Sequence, residues 1–110
     1  MTGNCTNGVA VYAAFWEVIP GNGPQLLNPL QYTVFPGDFV DVEITHEEPN
    51  KFNITIKDGW WSFSTTQIQA DMEDALSSAD FVTEAPGDTT QPLTNFGTAH
   101  FQNCWANNTP

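Results

Sequence analysis

The sequence predicts an all-β protein built as an antiparallel β-sandwich. Short runs in which every second residue is apolar recur along the chain, and clusters of Gly, Pro and Asn separate them. Of the 110 residues, 40% are hydrophobic and 13% are aromatic, well above the content of a disordered acidic segment. A chain of this length holds one core, so we expect residues 1–110 to form a single domain.

The first half of the chain contains three predicted strands. Residues 9–19 are rich in β-branched and aromatic side chains and end at a Pro and Gly cluster at 20–24. Residues 31–35 form the second run, and Pro36-Gly37-Asp38 follows it as a turn. Residues 39–45 then alternate between apolar and polar side chains, which predicts a half-buried strand. Its apolar face carries Val40, Val42 and Ile44.

The second half continues this pattern. Residues 52–57 alternate in the same way and are predicted to pair with the preceding strand as a hairpin, after which Asp58-Gly59 turns the chain into a strand at 60–66. Residues 67–76 are ambiguous, because three of their apolar side chains have a helical spacing within a strand-rich sequence. Further strands are predicted at residues 79–84, 93–96 and 98–105.

The charge of the chain limits its partners. Lys51 and Lys57 are the only basic residues against 13 acidic ones, and the net charge is -11. Nucleic acids and anionic membranes are therefore poor partners, because binding them needs clustered Lys and Arg. The charge fits a secreted protein that works in acid, where protonation relieves repulsion between carboxylates. An acidic domain without any role for pH fits the charge equally well.

The two cysteines lie near opposite ends of the chain. A bond between Cys5 and Cys104 would close most of the chain and restrict its unfolded state, whereas two separate thiols fit the sequence as well. No apolar run approaches 18 residues, and Met1 is not followed by a signal-peptide pattern. We therefore expect a mature or shortened chain.

Two carboxylates share one face of the predicted strand at 79–84. Asp80 and Glu84 project to one side, and Phe81 and Thr83 project to the other. Acidic residues on the outer face of a strand are most often merely solvated. By itself, this pattern does not indicate catalysis.

Several segments of the chain occur in the order and spacing of one known family. They are an aromatic-rich segment at 12–20, a Gly-Asp turn at 37–38, residues 59–65 and 77–78, Ala79-Asp80-Phe81-Val82-Thr83-Glu84-Ala85-Pro86, Pro92-Leu93-Thr94-Asn95-Phe96-Gly97 and Phe101-Gln102-Asn103. On these motifs the chain resembles the glutamic peptidase family, the eqolisins, over nearly its whole length.

The resemblance implies a sandwich of two bent sheets whose concave face binds a polypeptide substrate. It implies that the Glu84 carboxylate removes a proton from the water that attacks the scissile carbonyl. Glu17, Trp16 and Asp80 are then expected to contact the substrate, although Trp16 fits ordinary core packing as well. A secreted monomer that needs no metal or cofactor is expected.

The N-terminus departs from the family pattern. The resemblance implies a catalytic Gln whose side-chain amide stabilises the oxyanion, and counting back from Glu17 places Met1 at that position, with Thr2-Gly3 continuing the motif. We expect a chain shortened at both ends, and the loss of one oxyanion donor typically slows turnover by about 10²–10³. Gln67 and Gln69 lie near the acidic strand in sequence, and other glutamines lie in loops or on other strands, namely Gln25, Gln31, Gln91 and Gln102. None of them follows the motif.

Two other classes of function compete with this interpretation. Trp60, Trp61 and Trp105 could stack sugars on a non-catalytic β-sandwich module that binds carbohydrate or protein, although adjacent Trp60 and Trp61 face opposite sides, so at least one belongs to the core. A copper site is disfavoured, because no second His and axial Met follow Cys104 closely; its candidate ligands would be His46, His100, Cys104 and Met72. The sequence therefore predicts an acid-acting glutamic endopeptidase, with the binding module as the alternative.

Overall fold

The computed structural model describes residues 1–47, 49–69, 79–84, 95 and 97–106. The chain packs as two units, Met1–Met72 and Glu73–Pro110. In the described part of the first unit, seven strands form three antiparallel sheets. No helix among the described residues is long and apolar enough to cross a membrane. The prediction of an all-β antiparallel protein is confirmed.

The first sheet is a hairpin of β1 (Thr2–Thr6) and β2 (Val9–Ala13). A two-residue turn, Asn7-Gly8, joins these strands, and φ is 52° at Asn7 and 76° at Gly8. Positive φ at both central residues defines the type I′ turn, whose twist matches that of the paired strands. The Asn-Gly sequence therefore determines this hairpin locally.

The second sheet is a short ribbon of β3 (Phe15–Trp16) and β4 (Gln25–Leu26). The Leu27 amide extends it by donating a hydrogen bond of 2.9 Å to the Ala14 carbonyl. A compact turn follows, in which the Tyr32 amide donates to the Asn28 carbonyl over 2.8 Å. The ribbon and this turn bring apolar side chains onto the larger sheet.

The third sheet has the order β5 (Val40–Glu47), β6 (Lys51–Asp58) and β7 (Trp61–Ile68), with β6 in the centre. Val42 pairs with Ile56, and Ile56 pairs with Phe63, so apolar residues share one face. The other face is polar, and Thr55 and Ser64 are joined there by a hydroxyl hydrogen bond of 2.8 Å.

The core of the first unit lies between the ribbon and the third sheet. Ala14, Leu27 and Val34 pack against Ile54 and Ile56 in one buried cluster. Partly buried side chains surround this cluster, and they are Trp16, Val18, Tyr32, Val40, Trp61 and Phe63. Two layers of backbone therefore enclose a thin apolar core, which is the arrangement of a sandwich although the sheets are small.

The predicted strands at 39–45, 52–57 and 60–66 are confirmed as β5, β6 and β7. The run at 9–19 is divided into β2 and β3. The run at 31–35 is a turn and an irregular segment, because its apolar residues reach the core without pairing to a neighbouring strand.

The expectation of a half-buried β5 is only partly met. Val40 packs against the core, but Val42 and Ile44 are 61% and 63% exposed. In the described part of the first unit, the core cluster covers the central strand and stops short of these two side chains on the edge strand.

The second unit differs from the sequence prediction. Residues 79–84 and 98–105 form no strand, and every side chain among them is exposed. A strand gains stability from hydrogen bonds and side-chain contacts with a neighbour, so alternation alone does not produce one. Residues 70–78 and the predicted strand at 93–96, apart from Asn95, lie outside the described residues.

Candidate active site

A cavity of about 300 Å³ lies in the first unit beside the core. Two of the residues predicted to contact substrate, Trp16 and Glu17, line it. The rest of its wall is mainly apolar and is formed by Met1, Ala14, Phe15, Val42, Ile44, Ile54 and Ile56. The cavity combines a broad apolar wall with one carboxylate, which suits the side chain and backbone of a polypeptide.

The β3–β4 ribbon positions Trp16 and Glu17. Trp16 pairs with Gln25 in the ribbon and is half-buried against the core, so it both packs and lines the cavity. Glu17 directly follows the strand and is exposed. The sequence left two roles open for Trp16, contact with substrate and packing in the core. Its position is compatible with both roles.

Met1 lies at the same cavity as these two residues. Its side chain ends in a thioether, which accepts hydrogen bonds weakly and donates none. Desolvation by burial lowers the pKa of the Met1 amino group below its ordinary value. The side chain at this position therefore supplies no donor to an oxyanion.

The glutamines that could replace the family's catalytic Gln are already bonded within the first unit. The side-chain amide of Gln69 donates to the Pro20 carbonyl over 2.8 Å, and that of Gln67 donates to the Thr65 hydroxyl over 2.7 Å. Gln25 likewise donates to the Gly23 carbonyl over 3.1 Å. None of these three lines the cavity, so each has a structural role here.

Asp80 and Glu84 belong to the second unit, where both are exposed on an irregular segment. Residues 79–84 form no regular strand, so the predicted sharing of one strand face by these carboxylates is wrong for this segment. Ala85 and Pro86, which complete the motif, lie outside the described residues.

The tryptophans have different environments. Trp61 is half-buried and donates its indole N–H to the Thr33 carbonyl over 2.8 Å, whereas Trp60 is 82% exposed. The prediction that at least one of this adjacent pair belongs to the core is confirmed. Trp105, in the second unit, is also exposed.

The remaining metal and thiol candidates are dispersed. Cys5 and Cys104 are free and exposed. His46 packs its ring against Phe52 with centroids 5.2 Å apart. Among residues 1–47, 49–69, 79–84, 95 and 97–106, no three His, Cys, Asp or Glu side chains form a group that could hold a metal ion. Met72 lies outside these residues.

One buried acidic residue is not among the candidates that the sequence motifs indicate. Asp58 ends β6 with its side chain on the core face, where sequence alternation assigns only apolar residues, and it is 7% exposed. The Asp-Gly pair by itself indicates only a turn. The alternation of 52, 54 and 56 does extend to 58, and that extension is the signal that identifies the position as inward-facing.

Comparison with known families gives one match. The model of the Peptidase A4 family matches residues 1–109. A search of curated proteins and a search of solved structures each found no match. The family match agrees with the resemblance carried by the motifs along the chain.

Proposed function

Because this chain belongs to the Peptidase A4 family, the glutamic peptidases, we propose that it is an acid-acting endopeptidase with Glu84 as its general base. The family match over residues 1–109 is the observation that carries this proposal, since it establishes peptide-bond hydrolysis as the family's chemistry. The motif around Glu84 supports the assignment of the carboxylate.

In the proposed reaction, Glu84 takes a proton from a water molecule while that water attacks the scissile carbonyl carbon. The same carboxyl then returns the proton to the leaving amine, which completes hydrolysis without a covalent intermediate. Glu84 is exposed and is therefore accessible to both water and substrate. Exchange of this carboxylate for an amide removes the base.

Trp16, Glu17 and Asp80 are proposed to contact the polypeptide. The cavity lined by Trp16 and Glu17 supports the first two assignments, because an aromatic wall and a carboxylate provide apolar and hydrogen-bonding contacts. Asp80 is exposed and lies four residues before Glu84, so it is available to a peptide. These side chains would affect KM more than kcat.

The test is cleavage of a denatured protein at acid pH in the presence of pepstatin. Glu84→Gln should abolish cleavage, whereas Glu43→Gln should leave it unchanged, because Glu43 lies exposed on the polar face of β5. Both variants make the same chemical change, so any difference between them reports the position of the carboxylate. Equal cleavage by the unaltered chain, Glu84→Gln and Glu43→Gln would contradict the role of Glu84.

A second variant examines the oxyanion donor. Met1→Gln introduces the amide that the family pattern has at this position, and it should increase turnover by about 10²–10³. Cleavage that is undetectable in both the starting chain and Met1→Gln would overturn the peptidase proposal.

The exposed Trp60 supports a second candidate, a non-catalytic binding module. An indole that is 82% exposed can stack on a sugar ring. Binding on a glycan array that Trp60→Ala removes, together with no cleavage by the unaltered chain, would favour this function. The absence of glycan binding removes it.

We also propose that the protein is secreted and acts as a monomer on polypeptides. The net charge of -11 supports work in acid, because protonation reduces a repulsion that is large at neutral pH. Recovery of the protein from the culture medium of its source would agree with secretion, and its retention inside cells would contradict it.

A further inference from the structure

An acidic side chain lies in the core at the end of the central strand. Asp58 pairs with Val40 on one side and with Trp61 on the other, and its side chain shares the apolar face of the sheet. It is 7% exposed, and its Oδ2 has no hydrogen-bond partner among the described residues. A buried oxygen that carries charge without a partner is strongly unfavourable.

A second carboxyl group lies beside it. Asp38 closes the turn before β5, where its Oδ2 accepts a hydrogen bond of 2.8 Å from the Phe35 amide. The Asp38 amide donates to the Phe35 carbonyl over 3.1 Å, which holds this turn from both directions. Asp38 lies two residues before Val40, the register partner of Asp58, and its carboxyl acts on the Asp58 carboxyl both as a hydrogen-bonding group and as a negative charge. The pair therefore joins the turn to the end of β6.

The groups that face this pair supply no positive charge. Val40 of β5 and Trp61 of β7 are uncharged, and Tyr32, which packs on Trp61, contributes a neutral phenol. Lys57 precedes Asp58 but lies on the opposite face, across from Asp41 in the strand register. The other lysine, Lys51, forms an ion pair with Glu47 at 3.5 Å, and the Met1 amino group belongs to a residue that lines the cavity near Trp16.

Burial raises the pKa of Asp58 above its ordinary value, and the hydrogen bond and negative charge of Asp38 raise it further. The Gly59 amide donates to the Asp58 carboxyl and acts in the opposite direction. Two carboxyl groups at one site disfavour joint ionisation, which is the usual origin of a shared proton.

We propose that the Asp58 carboxyl keeps its proton in the folded chain and donates it in a hydrogen bond to the Asp38 carboxyl, and that this bond is a pH-sensitive latch that fastens the turn at 35–38 to the end of β6. The proton supplies the donor that two carboxylates lack. When it is lost, two negative charges face each other in a site without a cation, and the latch opens. This inference is independent of peptide-bond cleavage.

The direction of the pH effect follows from the raised pKa of Asp58. Folding then favours the protonated form, so the stabilisation is fully present below the ordinary Asp value of about 3.9. It is lost as the pH rises through the folded-state pKa of Asp58, which lies above that value. If the pKa of Asp58 is about one pH unit higher in the folded than in the unfolded chain, the ratio of folded to unfolded protein falls about tenfold as the pH rises from below both values to above both.

The test is urea unfolding of the full chain at a series of pH values, followed by tryptophan fluorescence. Asp58→Asn provides a neutral donor at every pH, so its unfolding midpoint should vary less with pH than that of the starting chain and should be higher at neutral pH. Asp41→Asn is the matched control, because Asp41 is exposed on the opposite face. The unfolding midpoint of Asp41→Asn should vary with pH as that of the starting chain does.

An unchanged pH dependence in Asp58→Asn would overturn the latch. Carboxyl ¹³C chemical shifts of the starting chain provide a measurement that needs no variant, and the proposal requires Asp58 to titrate at higher pH than the exposed Asp residues.

Discussion

At the scale of single residues, adjacent tryptophans have opposite roles. Trp61 donates to the Thr33 carbonyl and packs edge-on against Tyr32 with ring centroids 5.3 Å apart. Trp60 makes neither contact and is exposed. Alternation along the predicted strand at 60–66 requires this division, but it does not say which indole faces inward, because that depends on the register of β7 against β6. In the structure Trp60 lies in the turn before β7.

Trp61→Phe should destabilise the protein by about 1–3 kcal/mol, because the Thr33 carbonyl loses its donor in a partly buried site. Trp60→Phe is the control and should change the free energy of unfolding by less than about 0.5 kcal/mol. Urea unfolding followed by circular dichroism measures both. Equal effects of the two substitutions would contradict the assigned environments.

At the scale of elements, the Asn7-Gly8 turn determines the first hairpin. Gly8 has a φ of 76°, in the left-handed region where a Cβ is strained, although open space surrounds the position. Gly8→Ala should therefore cost about 1–2 kcal/mol through backbone strain alone.

Gly59→Ala is the matched control for this substitution. Gly59 also lies in a two-residue turn with open space around it, but its φ is outside the left-handed region. Alanine should be neutral or slightly stabilising there, because it restricts the unfolded chain. Thermal unfolding compares the stability of the two variants. If Gly59→Ala lost as much stability as Gly8→Ala, backbone strain at Gly8 would not be the cause.

The elements that the sequence predicts correctly are those determined by short-range pairing. Strands β5, β6 and β7 are consecutive, alternate clearly and are joined by tight turns, so local pattern and structure agree. Strand β1 is not predicted because Thr2–Thr6 is polar and carries no alternation, and only the following Asn-Gly indicates a hairpin. The run at 31–35 shows the reverse error, because alternation there reports burial of Tyr32 and Val34 without strand pairing.

The candidate site is predictable only in part. Trp16 and Glu17 are identified by motif, and they line one cavity because they are consecutive residues at the end of β3. The apolar wall that Val42 and Ile44 contribute is not predicted, since it arises where β5 and a ribbon distant in sequence line the same cavity. The role of Glu84 stays a prediction that depends on the family resemblance.

At the scale of the whole molecule, charge and exposed apolar surface oppose each other. Val42 and Ile44 are exposed on the edge strand β5, and such an edge is a potential site of pairing between chains. The net charge of -11 counters this by repulsion between copies. Asp41, Glu43 and Glu47 lie on the same edge strand, and charged side chains on an edge hinder such pairing.

We expect the chain to be monomeric at neutral pH, and we expect the protection by charge to weaken in acid, where carboxylates become protonated. Light scattering coupled to size-exclusion chromatography at both pH values measures its mass. Asp41→Asn combined with Glu43→Gln weakens the protection of the edge and should increase association, whereas Asp80→Asn, outside this strand, should not. A dimer of the unaltered chain at neutral pH would contradict the expectation.

The placement of the two lysines has a consequence for proteolysis. Lys51 and Lys57 are the only basic residues of the chain, and both lie in β6, between β5 and β7. A protease that cleaves after Lys or Arg must draw an extended backbone into its own cleft, and here that backbone is the central strand of the sheet. Trypsin can therefore cut the chain only while the sheet is open, so the rate of its cleavage reports how often β6 separates from its neighbours.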